Sequence, residues 1–196
     1  MAGHAPANYK DPMTEHHSPG GDDPPPPPGP RAGILPLETF ASVLEPGRRL
    51  LGLDVGTVTV GLALSDVGRM IASGLETVRR TKFKADAARL LELAASHAIA
   101  GFVIGHPLNL DGSSGPRAQA TRAFARNLAA LSPLPILLWD ERLSTAEAER
   151  LLISADTSRR RRAEVIDKLA ATIILQGALD RLRVLAAASA NAPSGN

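Results

Sequence analysis

Residues 50–65 read Leu-Leu-Gly-Leu-Asp-Val-Gly-Thr-Val-Thr-Val-Gly-Leu-Ala-Leu-Ser. Two apolar runs, Leu50 to Asp54 and Val60 to Ser65, flank a turn that carries Gly56 and Thr57. Short runs of this kind bounded by turn residues predict strands, and so short a connection makes them antiparallel neighbours. The first strand closes on Asp54. A carboxylate in a hydrophobic strand is costly unless it is hydrogen-bonded or meets a cation. Asp54 is therefore either a turn-capping acid or a candidate for metal or phosphate chemistry.

Outward from this hairpin, Ile71 to Val78 is expected to form a third strand. Lys84 to His97 then carries Leu90, Leu91, Leu93, Ala94 and Ala95 at helical spacing, and Ile99 to Gly105 is a buried apolar strand. A second helix spans Pro116 to Leu131, with Phe124 and Leu128 on one side, and Leu134 to Trp139 is a further strand. Ser144 and Glu147 match a capping box that opens a short helix to Ile153, and a last helix covers Ala163 to Ala186. This order implies an α/β fold with a five-stranded mixed sheet flanked by helices. Three strands form an antiparallel meander and two are parallel, because parallel additions need crossover helices.

The length of 196 residues suits one domain with appendages. Residues 1–46 read as an acidic, Pro-rich arm with the run Pro24 to Pro28, too poor in large apolar side chains to offset ordering entropy. Within it, Ile34 to Leu44 is either a short amphipathic helix or a linker turn. The folded domain is expected over 47–188, with a small polar tail at 189–196.

The arm holds two basic and six acidic side chains, a net −4, whereas the remainder holds twenty and fourteen, a net +6. A basic body suits a polyanionic partner. Cysteine is absent, which rules out disulfides, thiol nucleophiles and cysteine-ligated zinc. No apolar run is long enough for a bilayer and no secretory signal is visible, so the expectation is a cytoplasmic protein with no membrane partner. Aromatic residues make up 3% of the chain, too few for a base-stacking platform.

Further acids fall at element ends. Asp140 and Glu141 close the strand before Ser144, and because side chains alternate along a strand, only one of them can face the same groove as Asp54. Either could instead favour the entry of the following helix. Asp167 lies near the start of the last helix, on a row with Ala163, Ala170, Ala171 and Ile174. It is either a dipole-complementing acid or an acid that the small alanines let approach the sheet. If these acids meet, their hard oxygen ligands suit Mg²⁺ or Mn²⁺. Gly105 to Gly115 is a donor-rich loop at a strand's carboxyl end, and Arg159 to Arg162 is the densest basic run, close to Asp167.

The motifs Asp-Val-Gly-Thr at 54, Gly-Leu-Ala-Leu-Ser-Asp at 61, His-Pro-Leu-Asn-Leu-Asp-Gly-Ser at 106, Asp-Glu-Arg-Leu-Ser-Thr at 140 and Asp-Lys-Leu-Ala-Ala at 167 occur in series. Together they resemble the YqgF/RuvX family, pre-16S ribosomal RNA nucleases similar to Holliday-junction resolvases, over about Arg48 to Leu185. Two positions depart from the family's pattern: Val58 and Thr59 stand where a basic residue is common, and His106 where an apolar one is usual.

The resemblance implies a ribonuclease H-like fold and hydrolysis of phosphodiester bonds with Mg²⁺ or Mn²⁺. It also implies processing of the 5′ end of pre-16S ribosomal RNA, or resolution of branched DNA, by a monomer or homodimer. The acidic site it implies is Asp54, Glu141 and Asp167, with Asp140 as the alternative at the second position. Candidate nucleic-acid contacts are Thr57, Asn109, Ser113, Arg117, Arg142, Arg159, Arg160, Arg161, Arg162 and Lys168. Two other classes stay open: a non-catalytic ribosomal-RNA-binding assembly factor, and an actin-type ATPase, which needs two such subdomains where this chain has room for one.

Overall fold

A computed structural model describes residues 33–143 and 159–190, with side chains from 165 onward in the second stretch. Its elements run β1 (Gly33–Ile34), α1 (Leu37–Val43), β2 (Arg49–Val55), β3 (Thr59–Ser65), β4 (Ala72–Arg79), α2 (Phe83–Ser96), β5 (Ile99–His106), α3 (Pro116–Ala129), β6 (Pro135–Asp140), a 3₁₀ turn (Glu141–Leu143) and α4 (Arg159–Ala190). The proline-rich segment before Gly33, the capping box at Ser144 and the tail after Ala190 lie outside the described residues.

The hairpin expected from residues 50–65 forms as β2 and β3, paired antiparallel with Asp54 opposite Gly61. Strand β4 continues the meander antiparallel to β3. After α2 and α3, β5 and β6 add in parallel to β2 and to each other. The sheet order is β1-β6-β5-β2-β3-β4. Its mixed polarity, with crossover helices feeding the parallel strands, is the ribonuclease H-like arrangement that the resemblance implied.

The sheet has six strands, not five. The extra one, β1, is two residues long and pairs in parallel with β6 through Gly33 and Ile34. A strand so short carries no periodicity to read in a sequence. Its neighbours in the chain hold it in place: Leu35 donates its backbone N–H to Ile136, and Phe40 of α1 is fully buried, with a Cβ on Gly101 limited to 2.9 Å from its ring. Of the two alternatives for Ile34 to Leu44, the helix is the one found, as α1 packed against the body.

Each face of the sheet has its own core. Leu51, Leu53, Leu62, Phe102 and Ile104 meet α2 and α3 through Leu90, Phe124 and Leu128. Leu50, Ala63, Val103, Leu137 and Trp139 meet α4 through Ala171, Ile174, Leu175, Ala178 and Leu179. Burying Ile174, Leu175 and Leu179 stabilises by about 1.5–3 kcal/mol each, enough to fix α4 across the sheet. The second face carries the acids.

Candidate active site

Strand alternation sorts the acids before any distance is measured. On β2, Leu50, Gly52 and Asp54 point to the α4 face, and their β3 partners continue that face through Gly61, opposite Asp54. On β6, Leu137 and Trp139 point to the same side, and Glu141, two residues on, follows them. Its Oε1 would stand 2.6 Å from a Cβ on Gly105, so glycine at 105 leaves the room that the carboxylate occupies. Asp140 faces away, beside its register partner His106. The choice between Asp140 and Glu141 for a seat beside Asp54 thus goes to Glu141.

Asp167 reaches the same edge from α4. A Cβ on Gly61 would overlap the Asp167 carbonyl and come within 3.1 Å of the Asp167 Cβ. Gly61 is the partner of Asp54, so the helix sets Asp167 down directly across the β2–β3 ladder from it. Burial and then the Asp167 charge raise the Asp54 carboxyl above its ordinary range, with Arg117 acting in the opposite sense. Burial and the Asp54 charge push Glu141 up to about 6, again opposed by Arg117. Asp54 is therefore the hub, coupled to Asp167 on one side and Glu141 on the other. Among the described residues, no three His, Asp or Glu side chains close tightly enough to form a ready-made metal cage.

The remaining candidates divide by what already engages them. Asp140 is paired with Arg142 at 2.6 Å, and these hydrogen bonds hold its carboxyl below the usual range. Arg142 also donates to the Leu110 carbonyl at 3.3 Å, so it straps the loop after β5 instead of offering a free guanidinium. That loop is braced internally: Asn109 Nδ2 donates to Ser113 Oγ at 2.8 Å, and the Ser113 N–H donates to Asp111. Asn109 and Ser113 are thus partly committed to loop structure. His106 is 5% exposed, and burial pushes its imidazole pKa down, which fits a packed residue behind the site.

Arg117, in the first turn of α3, sends positive charge to both Asp54 and Glu141. Thr57 is exposed at the β2–β3 turn. The Lys168 Cβ stands over Gly74 of β4, next to Asp167 on the same helix face as the sheet contact. Arg159 to Arg162 open α4, with their side chains outside the described residues.

One residue passed over in the sequence holds the turn after Asp54. Arg80 donates its backbone N–H to Val58 at 2.8 Å and its Nη1 to the Gly56 carbonyl at 2.7 Å. It lies 5.6 Å over the Phe124 ring and 3.8 Å from the buried Asp86. Only the basic pair Arg79-Arg80 hinted at it. An apolar hollow between α1 and the far half of α4, lined by Leu44, Met70, Leu179 and Leu182, contains none of the acids. No helix among the described residues is long and apolar enough to cross a membrane.

Known proteins resemble this chain over most of its length. Residues 48–181 match the family described as RuvX, Holliday junction resolvase. A protein of Bradyrhizobium sp. (strain BTAi1) named "Putative pre-16S rRNA nuclease" is 62% identical over 154 residues, covering 79% of this chain and 96% of that one. A protein of the same name from Paracoccus denitrificans is 61% identical over 149 residues, covering 76% and 94%. Among solved structures, T. thermophilus RuvC in complex with a Holliday junction substrate is similar at 16% identity and a TM-score of 0.44, over 69% of this chain and 96% of that one. The family match runs from the start of the meander into the helix that carries Asp167, and the relatives are matched almost end to end: the chain belongs to the RuvX family of nucleases.

Proposed function

We propose that this nuclease cuts precursor 16S ribosomal RNA near the 5′ end of the small-subunit sequence, with Mg²⁺ or Mn²⁺ held by Asp54, Glu141 and Asp167. The carrying observation is the one-faced acid cluster: carboxylates from β2, the end of β6 and α4 share one edge of the sheet, and burial with mutual repulsion raises Asp54 and Glu141. All-oxygen, acidic donors that repel one another fit a hard divalent cation, whose arrival relieves the repulsion. When bound, such an ion makes a water nucleophilic near neutral pH and offsets charge on the phosphoryl oxygens.

The chain's own residues supply the placement. Arg117 brings positive charge to the acids and can meet the phosphate under attack, while Asp140 and Arg142 hold the Asn109 to Ser113 loop beside it. Thr57, Lys168 and Arg159 to Arg162 are suited to flanking phosphates. The names of the relatives support an RNA substrate, and a cytoplasmic protein working as monomer or homodimer goes with it. The family's description supports a second reading, cleavage of branched DNA.

Purified chain assayed on precursor RNA and on a four-way DNA junction, with Mn²⁺ or Mg²⁺, tests both. Cleavage of the RNA that Asp54→Asn abolishes without loss of fold is expected. Unchanged cleavage by the folded variant would sink the acid site, and cutting of the junction alone would give the second reading. RNA binding indifferent to chelator, with no cleavage under either ion, would make the chain a non-catalytic assembly factor.

A further inference from the structure

We infer that Arg79, Lys82 and Lys84 form a phosphate-contact strip along which a nucleic-acid strand runs into the acidic site from the β4 side. The inference rests on the nuclease reading but uses residues that the reading leaves idle. Residues 79–84 carry four cations in six positions, Arg79, Arg80, Lys82 and Lys84. Alternation along β4 splits the first two. Arg80 turns to the α2 and α3 side, where the Gly56 carbonyl, Asp86 and Phe124 engage it. Arg79 turns the other way. It pairs with Thr59, two residues beyond the row in which Asp54 faces Gly61 and Gly61 faces Thr77.

Arg79 therefore shares the face of Asp54 and Asp167, two strands over and two residues out, about 12 Å from Asp54 along the sheet. It is exposed, as are Lys82 and Lys84, and none of the three has an ion-pair partner among the described residues. Elsewhere on this structure basic side chains are often neutralised: Arg48, Arg89, Arg142 and Arg183 each sit within 3 Å of a carboxylate. Arg79 at the end of β4, Lys82 in the connection and Lys84 in the first turn of α2 are three unpaired cations around Arg80, which is pinned to the turn after Asp54, and they make a positive rim beside an acidic centre. An acidic centre alone repels a polyanion, so cations at its edge are what hold the backbone in place. Lys168, over Gly74 on the same face, extends the strip toward α4.

Binding of a fluorescein-labelled RNA stem–loop with a single-stranded tail, followed by anisotropy in EDTA across a salt series, tests the strip. The variant Arg79→Gln/Lys82→Gln/Lys84→Gln should flatten the dependence of log Kd on log salt by about 2 to 3 and weaken binding about tenfold at low salt. In Mn²⁺ its KM for cleavage should rise while kcat stays near the wild-type value. The control Arg126→Gln/Arg181→Gln/Arg183→Gln removes the same charge from exposed sites elsewhere and should leave the slope unchanged. A wild-type slope in the first variant, an equal loss in the control, or no RNA binding by the wild-type chain overturns the strip. A chain whose slope depends on the strip yet cuts nothing overturns the nuclease reading and leaves the strip standing.

Discussion

Gly61 stands opposite Asp54 in the β2–β3 ladder, and its missing side chain is the seat on which Asp167 rests. Gly61→Ala must therefore lift the first turns of α4 off the sheet, because the added Cβ meets backbone, which cannot rotate away. Overpacking of this kind costs about 1–3 kcal/mol. The variant should melt several degrees lower and lose most of its metal-dependent cleavage. Thermal denaturation and a cleavage assay check this, and a wild-type melting curve with full activity would contradict the seat.

Glu141 titrates at about 6, above its ordinary 4.5, because burial and the Asp54 charge disfavour its ionised form. A carboxyl raised in the folded state stabilises the fold fully below 4.5, and that stability is lost as pH climbs through 6. Metal-free protein should thus gain stability between pH 7 and 5 from this group, and Mn²⁺ should flatten the gain by supplying the countercharge. Denaturant midpoints against pH, with and without Mn²⁺, read this out, and Asp54→Asn should bring the Glu141 titration down in a carboxyl NMR series. A Glu141 titration that ignores Asp54 would break the coupling.

Much of this site was legible beforehand because its signals are local. The meander announced itself in residues 50–65, and alternation alone required Asp140 and Glu141 to diverge. Which of them joined Asp54 was not local: it depended on the parallel register of β6 with β5, set by Phe102 against Ile136 and Gly105 against Trp139, many residues apart. The alanine row left the approach of Asp167 as one of two alternatives, and the glycine that admits it lies on β3, far from that row in sequence. Strand β1 and the Arg80 clamp escaped notice for a similar reason. Each is made by partners distant in sequence, and neither leaves a periodic trace.

Arg117 lowers the pKa of both Asp54 and Glu141, so in the metal-free protein it serves as their countercharge. Arg117→Met should raise the Glu141 titration above about 6 and lower the stability of the metal-free protein near neutral pH. The larger response to added Mn²⁺ should then belong to the variant, since the ion replaces a charge it lacks. Cleavage should fall well below wild type even at saturating Mn²⁺, with Arg117→Lys between the two, if the guanidinium also meets phosphate. Equal stabilisation of both proteins by Mn²⁺ would show that Arg117 does not share the acids' field.

Asp140 and Glu141 are neighbours in sequence and opposites in role, which a pair of isosteric variants separates. Glu141→Gln removes a carboxylate from the acid cluster and should abolish cleavage while leaving the fold intact or slightly more stable at pH 7, since a repelled, partly buried charge is gone. Asp140→Asn instead loosens Arg142, whose other hydrogen bond holds the Leu110 carbonyl, and so frees the loop from Pro107 to Gly115. The pair is partly exposed, so the stability loss should be no more than about 1 kcal/mol. Its main effect should be a raised KM with kcat reduced only in part, together with faster amide exchange in that loop. If Asp140→Asn instead abolished turnover while Glu141→Gln retained it, the acid facing away from Asp54 would be the one the chemistry needs, and the one-faced cluster would have to be given up.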